Sequence, residues 1–190
     1  LQVSRATADT LTTAWTAPGI QVGGGGRPLY GGSGVGANEA HGGEFTPPAG
    51  LTSLAWIDIA MYKNGTPTDN LYVEITGSSI SGSTLGTSDL RSGTALTGSV
   101  AWYRFTFATP VTVTPGQLHH FRLFRDGARD ATTHYYVTGL GQNTGQYPGC
   151  DIYARATGTW SKPFGTNQQA PAYCINDEGD TVAIPVATSD

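Results

Sequence analysis

Ser53–Lys63 reads SLAWIDIAMYK. In an extended chain, Ala55, Ile57, Ile59 and Met61 fall on one side and Trp56, Asp58, Ala60 and Tyr62 on the other, because successive strand side chains point to opposite faces. The same period recurs downstream. Leu71, Val73 and Ile75 alternate with Tyr72 and Glu74, and Tyr103, Phe105 and Phe107 alternate with Trp102, Arg104 and Thr106. Period two over such lengths means strands with one buried face. Gly, Pro, Asn and Thr punctuate the runs, and Asn64-Gly65 carries the strongest hairpin-turn signal.

Working outward, further short runs follow at Leu118–Arg125, Thr133–Thr138, Cys150–Ala156, Ala172–Ile175 and Thr181–Val186. No segment carries an apolar period near 3.6, so almost no helix is expected. Twenty-seven glycines among 190 residues fit many tight connections. The expected fold is all-β: an antiparallel β-sandwich, jelly-roll-like, with about ten strands. Residues 1–43 are expected to form an N-terminal strand and a glycine-rich arm or loop, and residues 44–190 the sandwich, within one globular unit overall. The run Gly23–Gly26 lacks the Gly-Lys-Ser/Thr ending of a phosphate loop.

Composition narrows the partners. A net charge of −4 and no Lys/Arg cluster argue against nucleic acid. No apolar run approaches the ~20 residues that span a bilayer, so no membrane insertion is expected. Only 13% of residues are charged, and two are lysines, Lys63 and Lys162, a balance suited to an extracellular or virion protein. The start Leu-Gln-Val-Ser lacks both Met and a signal pattern, as a processed chain or an excised domain would. Cys150 and Cys174 flank a loop rich in Gly, Pro and Gln. A disulfide between them is expected, worth ~3 kcal/mol in the loop-entropy picture, against the alternative of two buried thiols.

The stretches YKNGTPTDNLYVEI (62–75), GTSDL (86–90), WYRFTFATPVTVTPGQLHHFRLF (102–124) and THYYVTG (133–139) resemble a jelly-roll module of phage-type particles and secreted bacterial surface proteins. The likeness covers roughly Glu44–Gly139 and rests on strand and turn residues. It implies a non-catalytic carbohydrate-binding or receptor-binding domain. The chain departs from the pattern at Leu118-His119-His120, where that group has Thr-Tyr-aromatic.

Sugar recognition needs flat apolar surfaces beside planar hydrogen-bonding groups. Trp56, Tyr62, Tyr72 and Trp102, on the sides turned from the core, supply the first, and Asp58, Glu74, Arg104, His120 and Arg122 the second. Trp102 and Arg104 share a side, about 7 Å apart in a regular strand, as a platform beside a fork of donors. The competing reading is that another layer covers this face and its charges form internal salt bridges. Gln142, Asn143, Gln146, Tyr147, Asp151, Tyr153 and Trp160 mix aromatics with amides as a second candidate surface, unless Trp160 simply plugs one end of the sandwich.

No cofactor is required by these residues. His119 and His120 are adjacent and point to opposite faces, and His41 and His134 complete no metal spacing. Asp177, Glu178 and Asp180 form an oxygen-rich turn that would suit Ca²⁺ or be a solvated acidic turn. Catalytic residues are not expected, since no serine elbow is present. Asp58 and Glu74, if on neighbouring strands, would be the one pair suited to glycoside hydrolysis or polysaccharide cleavage. The expected function is therefore glycan-binding adhesion, on cell-surface or capsular polysaccharide. A structural decoration or spike subunit, assembling as a homo-oligomer or on a particle, is the alternative.

Overall fold

The computed structural model describes residues 27–32, 36–47, 49–138, 152–162 and 173–176. These residues form twelve strands and one 3-10 turn, Gly93–Ala95. The strands are β1 Arg27–Leu29, β2 Ala40–Phe45, β3 Ser53–Asn64, β4 Asn70–Thr76, β5 Thr84–Thr87, β6 Arg91–Ser92, β7 Ala101–Thr112, β8 His119–Arg125, β9 Tyr135–Thr138, β10 Ile152–Ala156, β11 Thr159–Ser161 and β12 Tyr173–Asn176.

Two antiparallel sheets pack face to face, as expected of a β-sandwich. In the five-stranded sheet, β3 pairs with β7 on one edge; its other edge takes β12 along Trp56–Ile59 and β9 along Met61–Asn64, with β1 beyond β9. The seven-stranded sheet runs β11-β10-β2-β8-β4, and β5 and β6 share the far edge of β4. Partners nest: β2 with β8, β3 with β7, β4 with β5 and β6. This is the pairing of a long hairpin wound over two sheets, the jelly-roll arrangement.

The core is the alternation made physical. Ile57, Ile59 and Met61 of β3 and Tyr103, Phe105 and Phe107 of β7 meet Leu71, Val73 and Ile75 of β4 and Phe121 and Leu123 of β8. Each such aliphatic side chain, fully buried, contributes roughly 1.5–3 kcal/mol.

Three local expectations differ. Leu54, not Ala55, joins Ile57 in the core cluster, because a β-bulge interrupts β3: Leu54 pairs with Val111 and Trp56 with Thr106. Asn64-Gly65 does not make a hairpin, since β3 and β4 lie in different sheets. Gly65, at φ +67°, instead starts the crossing between sheets, where a Cβ would meet the carbonyl oxygen of Thr133. The boundary drawn between residues 43 and 44 runs through β2, whose six residues are all buried between β10 and β8. Residues 27–29 also pair into a sheet, so these parts of the presumed arm are sandwich. Its hydrophobic positions are sparse in sequence because glycines stand where other strands carry side chains.

One end of the sandwich is tied by Asp69. Its carboxylate accepts from Arg125 Nε and Nη2, from the Tyr136 hydroxyl (2.9 Å) and from the Gly127 N–H (3.2 Å). Among the described residues no helix is long and apolar enough to cross a membrane.

Candidate functional site

The predicted binding residues divide between the two outer faces of the sandwich. Trp56, Asp58, Tyr62, Trp102 and Arg104 lie on the five-stranded sheet; Tyr72, Glu74, His120, Arg122 and Trp160 lie on the seven-stranded sheet. Asp58 sits between the core residues Ile57 and Ile59, and Glu74 between Val73 and Ile75. These carboxylates therefore point away from each other through the whole sandwich. The hydrolytic pair considered from sequence has no common cleft, because β3 and β4 are consecutive in the chain but not neighbours in a sheet.

On the five-stranded sheet, Arg104 is committed locally. Its Nε donates to Asp58 Oδ1 (2.9 Å) and its Nη2 to Asp58 Oδ2 (2.8 Å), across the register pair Asp58–Arg104. The guanidinium also lies 3.6 Å from the centroid of the Trp56 ring. The donor fork expected beside Trp102 is thus turned to Asp58 and Trp56. Bidentate geometry and stacking each favour this placement; the face carries a salt bridge, as the competing reading had it, with the Arg104 side chain still 35% exposed.

The seven-stranded sheet presents a different surface. Tyr72 and Phe124 are a cross-strand pair with nearly parallel rings, 5.4 Å between centroids and 21° between planes. Trp160 meets Phe124 edge-on at 6.1 Å. Trp160 belongs to the edge strand β11, opposite Arg155 of β10, which is opposite Ala40 of β2. Trp160 leans inward because β2 is nearly bare there: a Cβ on Gly42 would lie 3.5 Å from its ring. The row Tyr72, Phe124, Trp160 thus runs across the strands, each ring half-buried. Trp160 does not plug an end of the sandwich; it lies on this outer face.

Along the next rows the face is covered. The connection from β4 to β5 folds back over it, bringing Ile80 against Gly42. His120 Nδ1 donates to the Gly77 carbonyl (2.8 Å), and Arg122 Nη1 donates to the carbonyls of Ile80 (3.3 Å) and Gly82 (3.4 Å). Arg122 Nη2 contacts Glu74 Oε2 at 2.7 Å and the Thr84 hydroxyl at 2.6 Å. Arg122 and His120, read from sequence as ligand-facing, hold this covering segment in place.

Beneath that segment, Glu44 Oε2 accepts from the Tyr153 hydroxyl (2.9 Å), with Lys162 Nζ at 3.4 Å and His120 Nε2 at 3.8 Å. Burial holds the His120 imidazole below its ordinary pKa, against the opposing pull of its bond to Gly77 and of the Glu44 charge. Burial also raises the Tyr153 phenol, with Glu44 adding to it and a hydrogen bond with Lys162 opposing it. Tyr72 is raised chiefly by burial; Glu74 and Asp126 add to this, and Arg122 and Arg155 oppose it. Charges of both signs therefore surround the aromatic row.

Phe124, Glu44, Arg155 and Lys162 were not among the candidates. Alternation through β8 carries Phe124 onto the side of His120 and Arg122, a signal present in the sequence; the other three depend on pairings distant in the chain. His119, on the opposite side of β8, is buried against Phe45 and accepts the Thr114 N–H at Nε2 (3.3 Å). Among the described residues no three His, Cys, Asp or Glu side chains converge on a metal position. Tyr147, Cys150, Asp177, Glu178 and Asp180 lie outside the described residues; the backbone of Cys174 pairs with Asp58 in β12. No protein-family model matches the chain, and no curated protein matches its sequence.

Proposed function

We propose that the outer face of the seven-stranded sheet is a carbohydrate-binding surface, and that the chain is a non-catalytic adhesion domain of an extracellular or virion protein, recognising cell-surface or capsular polysaccharide. The observation that carries this reading is the contiguous row of Tyr72, Phe124 and Trp160, half-exposed on a sheet and bordered by Arg155 and Asp126. Stacked aromatics suit the C–H faces of pyranose rings, and the bordering charges suit hydroxyls and acidic or amino substituents. Titrating the protein with capsular and cell-wall polysaccharides, read by calorimetry and by Trp160 fluorescence, tests it. Binding that is lost in Tyr72→Ala and Trp160→Ala supports the reading; no binding to any polysaccharide or host surface removes it.

A structural decoration or spike subunit is favoured by a separate observation. Leu85 and Leu90 are 51% and 62% exposed. Leu85 lines an open groove of about 390 Å³ with Gly86, Thr87 and Ala108–Thr112. Exposed apolar side chains beside a groove are a feature of association surfaces. Sedimentation velocity over a range of concentrations discriminates: self-association abolished by Leu85→Ser and Leu90→Ser supports assembly, and a monomer throughout counts against it.

A further inference from the structure

We propose that Asn64 is a site of intramolecular deamidation, with the Asp130–His134 pair acting as the base that takes the proton of the Gly65 N–H.

Asparagine precedes glycine once in this chain, at Asn64-Gly65. Glycine in the second place leaves the main-chain nitrogen open, because no Cβ shields it. Asn64 ends β3, Gly65 begins the crossing to β4, and both are exposed. The Asn64 backbone stands opposite Tyr135 of β9, while its side-chain amide takes no hydrogen bond among the described residues. Asn70 offers the contrast: its N–H and its amide donate to the two oxygens of Asp126, at 2.7 and 2.9 Å, and leucine follows it.

The base stands against Gly65. His134 Cδ2 would lie 2.9 Å from a Cβ placed on that glycine, and Nε2 is the ring atom bonded to Cδ2. A carboxylate only accepts, so the 3.2 Å contact of His134 Nδ1 with Asp130 Oδ2 places the imidazole proton on Nδ1. In the neutral ring Nε2 then carries the lone pair at the edge packed on Gly65. It serves the Gly65 N–H directly or through one water, the reach a general base requires.

Asp130 is itself fixed. Its Oδ1 accepts from the N–H groups of Thr132 (2.9 Å) and Thr133 (3.0 Å). Its Oδ2 accepts from the Thr133 hydroxyl (2.9 Å) and the His134 N–H (3.1 Å). The N–H groups of Thr133 and Thr132 hold this carboxyl well below the usual carboxylate range. The pair thus keeps its orientation while the ring takes up and returns a proton.

The step balances within the chain. The Gly65 nitrogen attacks Cγ of Asn64, forming the C–N bond of a five-membered succinimide, and the bond from Cγ to Nδ2 breaks. His134 Nε2 takes the Gly65 proton and returns it to the departing nitrogen, which leaves as ammonia. Water then opens the ring at either carbonyl. One product is aspartate, which adds a negative charge to the net −4. The other is isoaspartate, which adds one carbon to the main chain just where Gly65 is packed against the Thr133 carbonyl oxygen. Neither product depends on a ligand for the aromatic row.

The test is incubation of the full chain at neutral pH in amine-free buffer. Ammonia release and the conversion of Asn64 to acid are followed by mass spectrometry, with Asn64→Gln as the variant that cannot react. In His134→Ala, conversion is expected to slow by about tenfold, less than the ~10²–10⁴ of an enclosed base because this ring stands half in water. Added imidazole should restore the rate in His134→Ala and accelerate the wild-type chain much less. Conversion that is absent in the wild-type chain, or no slower in His134→Ala, overturns the proposal. Slowing that imidazole does not reverse overturns the role of His134 as base. His134→Phe keeps a ring over Gly65 without a basic nitrogen, and is expected to slow conversion equally if His134→Ala does not fold.

Discussion

Arg104 lies over Trp56, its guanidinium carbon 3.6 Å from the ring centroid, while clamping both oxygens of Asp58. Stacking and bidentate pairing occupy the cation from two directions. Because the Arg104 side chain is still 35% exposed, solvent screens the pair, and Arg104→Ala should cost about 1–2 kcal/mol in urea denaturation. Polysaccharide affinity should be unchanged in this variant. A loss of affinity without a loss of stability would return the binding surface to the five-stranded sheet.

The opposite outcome is expected on the other sheet. Tyr72→Ala should weaken polysaccharide binding by ~1–3 kcal/mol, as truncation of a central aromatic contact does. The melting temperature should change little, because Tyr72 stands on the outer side of β4 while Leu71 and Val73 fill the core. Calorimetric titration beside thermal denaturation separates the two effects.

Gly42 is where β2 must have no side chain. A Cβ there would come within 2.6 Å of both Ile80 Cδ1 and the Phe121 carbonyl oxygen. Gly42→Ala should destabilise the chain by about 1–3 kcal/mol through overpacking. Adding Ile80→Ala removes only the first clash, so the double variant should not regain wild-type stability. Full recovery would mean that the backbone contact with β8 relaxes freely.

Stability should fall with acid through His120. Its folded-state pKa is depressed, so the unfolded chain binds the proton more readily. The stabilisation is complete above the unfolded value of about 6.5 and is lost as pH falls below it towards the folded value. Urea midpoints at pH 7.5 and pH 5 should differ more in the wild-type chain than in His120→Asn. Equal slopes would show that the buried imidazole carries no linkage.

Asp69→Ala should be the most damaging of these changes. The Arg125 side chain is 5% exposed, and what remains to it is the carbonyls of Tyr30 and His134 and the face of the Tyr136 ring, none of which carries a negative charge. Stranding a buried cation costs about 3–5 kcal/mol. Asp69→Ala with Arg125→Met removes the charge as well and should recover part of that loss; an additive double variant would contradict the coupling.

Alternation alone determined that this chain is all-β and, apart from the bulged start of β3, which side of each long strand is core. Ile57, Ile59, Phe105, Val73 and Leu123 could be placed inside because pleating is a property of one strand, legible without its neighbours. The sheet each strand joins is not such a property. Asp58 and Glu74 look alike in sequence, yet they end on opposite outer faces, since β3 takes β7 as partner and β4 takes β8. The same applies to the sites. Tyr72 and Trp160 were legible as candidate surface aromatics, with a covered face and an end plug left open as alternatives, but their meeting through Phe124 depends on Gly42 and Ala40 leaving β2 bare. Glu44, His120, Tyr153 and Lys162 come from four separate strands or their ends, and Tyr153 alone lies 109 positions from Glu44. Only cross-strand hydrogen bonding and the packing of one sheet on the other bring such residues to one oxygen atom, because that choice among partners is made by the whole folded chain.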